Sequence, residues 1–537
     1  MPKLSYEGLK DRATWQAAGI ALPDYDLLTM RKNTLDAPSW LHFGAGNIFR
    51  GYIAALQEDL LNRGMADTGI IAVETFDFDI IDKIYEPHDA LTLMVTLKAD
   101  GRMEKSVIGS IAKGLTTREL RPLRAYFEMD CLQIVSFTIT EKGYSLEGRS
   151  LDTVQNDMQQ GPEKPVHVMS VVTSLLFSRY QAGAAPISLV SMDNCSRNGE
   201  RLQHAVLEIA GAWKQNGFAD DGFMSYLREK VAFPWSMIDK ITPRPADNVK
   251  QALISASVEN MEPIVTSKNT YIAPFVNAEA PQYLVIEDAF PNGRPVLDKA
   301  GVFITSRDTV NKVERMKVTT CLNPLHTALA VYGCLLSYEL IADEMKDEQL
   351  SALAYAVGYT EGLPVVTDPG IIHPRNFLDE VFQERLPNPF IPDTPQRIAT
   401  DTSQKVGIRF GETIKSYMAD ENLSAGSLTA IPLALAGWLR YLLGVDDKLN
   451  QMSVSSDPLL DELQKALEDV RLTDGAKPQD CGEILRPILS DRNIFGVDLY
   501  EAGLAWKITR MFEQMLQGAG AVRALLTQYF PSGRYPL

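Results

Sequence analysis

Residues 40–52 read Trp40-Leu-His-Phe-Gly-Ala-Gly-Asn-Ile-Phe-Arg-Gly-Tyr52, and the fold is decided by this stretch. Trp40–Phe43 has the look of a short apolar strand, and Gly44-Ala45-Gly46 turns the chain. Ile53, Leu56, Leu60 and Leu61 then recur at helical spacing, with a stop at Gly64. Residues 69–73 (GIIAV) form a second strand, closed by Glu74. Strand, Gly-x-Gly, helix, strand, acid is the order that dinucleotide binding requires. Gly44 permits the tight turn, and Gly46 lets the main chain approach a pyrophosphate at the helix N-terminus. Phe49 stands where the third glycine of G-x-G-x-x-G is expected, so the short motif is weak by itself. Glu74 is placed to accept from the ribose hydroxyls, which predicts NAD rather than NADP.

Outward from this unit, strand-like runs at 91–97, 132–140 and 187–192 accompany helical runs at 166–180 and 200–215. This alternation predicts an α/β, Rossmann-like domain with a mostly parallel sheet over residues 1–300, of which 1–39 are a lead-in. Residues 233–300 are Pro-rich and irregular, with strand candidates at 271–276 and 283–286. From about Asp308 onward the patterns are long and helical, at 310–342, 394–418, 427–443, 457–470 and 500–516. Residues 301–537 are therefore expected to form an all-α C-terminal domain, with the active site in the cleft between the two domains.

The chain has 537 residues, 45% hydrophobic and 23% charged, which describes a globular protein able to bury sizeable cores. A formal net charge of −17 with no basic run gives no electrostatic footprint for nucleic acid or an anionic membrane. An anionic substrate must then meet a local cluster of Arg and Lys. The five cysteines form no C-x-x-C pair, the N-terminus shows no apolar leader, and no apolar run approaches about 18 residues. These features predict a cytoplasmic protein with a small-molecule partner, either monomer or dimer.

Among dehydrogenase chemistries, a zinc site is not expected, because the six histidines are scattered and none clusters with cysteine. A Tyr-x-x-x-Lys pair occurs twice, at Tyr6/Lys10 and Tyr226/Lys230, and is unspecific at that frequency. More informative is Glu314-x-x-Lys317-x5-Asn323-x-x-His326, in which each flanking pair shares a helical face. A lysine base, an amide donor and an imidazole converging on a hydroxyl suit metal-free alcohol oxidation. By spacing alone, a solvated lysine beside capping and core polar residues is the competing reading.

Several segments in one order resemble the long-chain mannitol dehydrogenase family. They are His42-Phe-Gly-Ala-Gly-Asn-Ile-Phe-Arg50, Thr138-Ile-Thr-Glu-Lys-Gly-Tyr144, Ser191-Met-Asp-Asn194 with Asn198-Gly199, and Met237-Ile-Asp-Lys-Ile-Thr-Pro243. Val285-Ile-Glu-Asp288, Asn292-Gly-Arg-Pro295, Asn388-Pro389, Asp393-Thr394, Arg397 and Asp401-x-Ser403-x-Lys405 complete the set. The resemblance implies an NAD(H)-dependent, metal-independent oxidoreductase of sugar acids or polyols. It assigns Lys317 as acid/base, and Asn194, Asn323 and His326 as the groups on the reacting oxygen. Glu314 and Asp239 become a proton relay, and Arg397 and Lys405 contacts to the far end of the substrate. Gly44, Gly46, Asn47, Ile48, Phe49, Arg50 and Glu74 become the cofactor loop. VSFTITEKGY (135–144) and YLVIEDAFPNGRP (283–295) are most similar to the members acting on D-fructuronate and D-mannonate. A polyol dehydrogenase, or a non-catalytic sugar-binding relative, stays open as an alternative.

One departure stands out. The family places Asn five residues after Lys, whereas here the interval is six. One residue turns an α-helix by about 100°, which would carry Lys317 away from Asn323. The expected remedy is a π-bulge near Thr319–Leu322, with an i→i+5 bond taking up the extra residue.

Overall fold

The computed structural model describes residues 1–473 and 479–532. By packing, the chain divides into one unit of residues 1–98 and 102–311 and a second of 99–101 and 312–537.

The first unit is built on a six-stranded, all-parallel sheet. Its strands are β1 (Trp40–Phe43), β2 (Ile70–Glu74), β3 (Ile111–Thr116), β4 (Ile134–Phe137), β5 (Ile187–Ser191) and β6 (Val231–Ala232). Their spatial order is β3-β2-β1-β4-β5-β6, the doubly wound order of a dinucleotide fold. Alternation along each strand sends side chains to opposite faces. Leu41, Phe43, Ile71, Val73, Val135 and Phe137 pack with Leu175 of α2 (Val168–Gln181) and Ile209 of α3 (Asn198–Gln215). Trp40, Ile70, Ala72 and Ile134 pack on the other face with Phe49, Ile53 and Leu60, the last on α1 (Ala54–Asn62). A sheet buried on both sides is consistent with its nearly continuous apolar strands.

The structure departs from the sequence reading at one strand and adds to it at two other places. The strand expected at 91–97, seen at Thr92–Leu97, is not in the parallel sheet; it pairs antiparallel with Met103–Ile108 and parallel with Phe275–Glu279. Strand β3 gave no sequence signal, because Lys113 and Gly114 interrupt its apolar run. A Cβ at Gly114 would lie 2.9 Å from the Tyr85 ring. The lead-in is folded: Trp15 is fully buried, Ile20–Ala21 adds a strand beside Lys105–Ser106, and Leu27–Asp36 is a helix.

The second unit contains no strand among its described residues beyond an isolated bridge, Val445–Gln451. The helix α4 (Arg307–Met316) leads into it, and α5 (Asn323–Leu335) runs through its core beside α6 (Ala430–Tyr441), with Tyr332 Oη donating to the Leu433 carbonyl at 2.9 Å. The long helical runs expected from periodicity are broken. Residues 310–342 divide at a π turn, Lys317–Cys321, and residues 394–418 divide into Pro395–Ile398, Thr402–Gln404, a π turn at Gly407–Gly411 and Glu412–Ala419.

Glu58 joins the lead-in to the rest of the first unit. Its Oε2 accepts from Tyr25 Oη and from the Gly109 N–H, each at 2.8 Å. Burial nevertheless pushes its pKa up to about 7 from an ordinary 4.5. A raised carboxyl pKa gives stability that is complete below the unfolded value and lost as pH rises through the folded one. We expect Glu58→Gln to gain on the wild type, by about 3 kcal/mol in all, as pH rises from 4.5 to 7. Urea unfolding of both proteins at pH 4.5 and pH 8 measures this; a pH-independent difference between them would contradict it.

Candidate functional site

At the end of β1, Gly44 adopts φ +105°, and a Cβ there would lie 2.2 Å from the Thr138 carbonyl oxygen. Only glycine fits both constraints. At Gly46 an added Cβ meets no protein atom within 4 Å, so the loop is open on the side where a phosphate would approach. The helix begins at Asn47, and its first N–H groups lack intrahelical acceptors. Loop and helix thus fit a dinucleotide phosphate through their main chain.

The side chains of the loop are used differently from the sequence expectation. Phe49 is fully buried and stacks on His42, with centroids 4.2 Å apart. Arg50 is also fully buried, donating to the Ala273 carbonyl at 2.8 Å and to Asn47 Oδ1 at 2.9 Å. Phe49 and Arg50 therefore serve the core with their side chains, and what they can offer a cofactor is main chain. The helix opens as a π turn, Phe49–Ile53, where the bulky Phe49 replaces the usual third glycine. Glu74 is buried at the end of β2. Its Oε1 accepts from the N–H groups of Thr75, Phe76 and Asp77, and its Oε2 from Ala45 N–H at 2.9 Å. It clamps the β2 loop to the glycine loop, leaving a lone pair on Oε2 for a further donor.

Two of the sequence motifs meet at Asp193. Its carboxylate accepts from Ile139 N–H (3.0 Å), Thr140 N–H (2.8 Å) and Tyr144 Oη (2.5 Å), and Tyr144 Oη also lies 2.7 Å from Ser191 Oγ. Burial raises the pKa of both Asp193 and Tyr144. This network holds the loop after β4 against the loop after β5, on which Asn194 is exposed. Asp239 is buried at the end of the strand Ser236–Asp239.

In the second unit, Lys317 begins the π turn Lys317–Cys321, and the Leu322 N–H donates to the Lys317 carbonyl at 3.1 Å, an i→i+5 bond. The extra residue is taken up by a π turn as expected, one that begins two residues before the expected Thr319–Leu322 and overlaps it. Pro324 falls in the first turn of α5, which begins at Asn323, and a missing N–H costs nothing there. Lys317 is 5% exposed, which rules out the alternative of a solvated surface lysine. Asn323 and His326, three residues apart at the start of α5, share a face. Glu314 is half-buried on α4.

His326 is held near neutral chemistry. Burial lowers its pKa to about 4, against the attraction of Asp393 and with Arg385, Arg409 and Arg397 adding to the depression. Its Nε2 lies 3.7 Å from Asp393 Oδ2. Asp393 also pairs with Arg397, and Lys405 Nζ donates to the Thr400 carbonyl. Arg409 Nη1 donates to Thr327 Oγ1 at 2.6 Å, and Thr327 donates to the Asn323 carbonyl at 2.9 Å. Asp393 as the partner of His326, and Arg409 as the partner of Thr327, had no sequence signal, since each lies more than one helix away along the chain.

Comparison with known proteins agrees with this architecture. Residues 38–299 match the mannitol dehydrogenase Rossmann domain, and residues 309–516 the mannitol dehydrogenase C-terminal domain. A D-mannonate oxidoreductase of Thermotoga maritima is 51% identical over 535 residues, covering 98% of each chain. Among solved structures, a D-sorbitol dehydrogenase in substrate-free form superposes with a TM-score of 0.77 at 24% identity, covering 95% of this chain and 98% of that one. The Pseudomonas fluorescens mannitol 2-dehydrogenase, in a ternary complex with NAD and D-mannitol, gives 0.70 at 24% identity, covering 99% and 100%. With both family domains matched in tandem along a doubly wound unit and a helical one, the chain belongs to the mannitol dehydrogenase family.

Proposed function

We propose that this protein is an NAD-dependent D-mannonate oxidoreductase, interconverting D-fructuronate and D-mannonate. The observation that carries the substrate is the 51% identity, over nearly the whole of both chains, to the Thermotoga maritima D-mannonate oxidoreductase. The cations gathered around His326 favour a sugar acid over a neutral polyol, because a chain of net charge −17 repels anions elsewhere. NAD is supported by the glycine loop and by the carboxylate of Glu74, whose charge opposes a 2′-phosphate.

A nicotinamide dinucleotide held by the glycine loop of residues 44–50 would supply the hydride acceptor for oxidation and the hydride donor for reduction. The chain's own groups handle the proton and the oxygen. Lys317 takes the hydroxyl proton as the carbonyl forms, and gives it back in the reverse direction. Asn323 and Asn194 donate amide N–H groups to the oxygen while it carries charge. His326, neutral at physiological pH, orients the hydroxyl without adding a competing charge. Glu314 and Asp239 pass the proton onward, and Arg397 and Lys405 hold the far end of the substrate. Among the described residues no group of three His, Cys, Asp or Glu is placed to hold a metal.

The direct assay is NADH oxidation with D-fructuronate and with D-fructose. Turnover of fructuronate with little of fructose is expected; a preference for fructose would make the protein a polyol dehydrogenase. Gly46→Trp should abolish NADH binding, read by fluorescence titration, because the indole fills the open side of the loop while leaving the core untouched. Unchanged affinity would remove the glycine loop from the cofactor site. Lys317→Ala should lower turnover by about 10²–10⁴-fold with NADH affinity retained. Near-normal turnover would place the base elsewhere.

A further inference from the structure

Arg397 and Arg409, which both press on His326, and Lys405 between them in the chain differ in what they are given to hold. Arg397 is matched by Asp393, and Lys405 points its ammonium at a main-chain carbonyl. Arg409 is held only by a neutral hydroxyl, Thr327 Oγ1, and among the described residues no carboxylate pairs with it. That hydroxyl is already committed, since it donates to the Asn323 carbonyl. The guanidinium has five N–H donors in a planar fork, so Nε and the second amino group stay available. A charge removed from water and left without a counter-ion is costly, and an incoming anion repays that cost. Burial alone lowers the Arg409 pKa to about 10, which is the same penalty seen from the protonation side.

The position is built. Arg409 sits at the centre of the π turn Gly407–Gly411. A Cβ at Gly411 would lie 1.9 Å from the Phe495 carbonyl oxygen, so the turn lies flat against the 494–496 backbone and cannot drift. Thr327, its anchor, follows His326 directly on α5. The guanidinium therefore lies on the turn of α5 that carries His326, near enough for its charge to press on the imidazole assigned to the reacting hydroxyl.

We propose that Arg409 receives the carboxylate of the sugar-acid substrate, alongside the contacts of Arg397 and Lys405 to that end, and is the residue that distinguishes acids from polyols. This rests on the sugar-acid reading above. A carboxylate and a guanidinium form two parallel, charge-assisted hydrogen bonds, which a hydroxymethyl group cannot reproduce.

The test compares mannonate with its neutral amide, which keeps the reacting hydroxyl and the size of the terminal group. In steady-state oxidation by the NAD-loaded protein, the wild type should prefer mannonate in kcat/KM by about 10- to 100-fold, mostly through KM. Arg409→Gln should lose that preference, with kcat/KM for the amide little changed. Arg409→Lys, which keeps the charge and loses the fork, should fall between. A wild type indifferent to the amide, or an Arg409→Gln that loses both substrates equally or neither, overturns the assignment of Arg409 while leaving mannonate as substrate. A wild type that ignores mannonate and oxidises mannitol overturns the sugar-acid reading and Arg409 with it.

Discussion

The hydrogen bond from the Leu322 N–H to the Lys317 carbonyl sets the phase between two helices, and the proposed chemistry depends on that phase. In a regular helix the six-residue interval would turn Lys317 about 100° away from Asn323. The π turn widens one loop of the ladder by one residue, and Leu322 leaves helical geometry at φ −134°, ψ −61° before α5 begins again. The next turn closes normally, with the His326 N–H on the Leu322 carbonyl at 3.1 Å. Side chains lock the bulge from both sides: Thr319 Oγ1 donates to the Arg315 carbonyl, and Thr413 Oγ1 to that of Thr319. A locally weakened ladder is unfavourable in isolation, and here it buries a lysine as well. Such an arrangement persists when the surrounding packing holds it, as the buried face of α5 does.

Electrostatics in the second unit runs against the composition of the chain. The whole carries −17, yet Arg385, Arg397 and Arg409 all press on His326 in the same sense. The depressed His326 pKa also has a stability consequence with a definite sign. Its contribution is complete above the ordinary value of 6.5 and is lost as pH falls through about 4. In the first unit, the clamp by Glu74 plays the comparable role of holding a loop in the shape a ligand needs, using main-chain donors.

Much of this was legible in the sequence, for identifiable reasons. β1, β2 and β5 are apolar runs bounded by glycine or acid, and each appears within a residue or two of its expected limits. The π turn was legible because intact spacing on either side, Glu314 to Lys317 and Asn323 to His326, isolates the extra residue between them. What stayed hidden was non-local. Alternation marks Thr92–Leu97 as a strand without saying which sheet it joins. Apolar periodicity runs through Gly407–Gly411 without showing that the helix changes type there. Phe49 and Arg50 sit in a cofactor motif, but the Ala273 carbonyl and the His42 ring that claim them lie outside their helix. The partnership of Arg409 with Thr327 spans 82 residues and leaves no trace in spacing.

The central claim is that the π turn delivers Lys317 to the same oxygen as Asn323 and His326. A crystal structure of the protein with mannonate bound tests it most directly. The account predicts Lys317 Nζ within hydrogen-bond reach, about 2.7–3.2 Å, of the reacting hydroxyl, with the Asn323 amide and the His326 ring on that same oxygen. Mannonate bound with its hydroxyl on His326 and Asn323 but with Lys317 Nζ beyond that reach would contradict it.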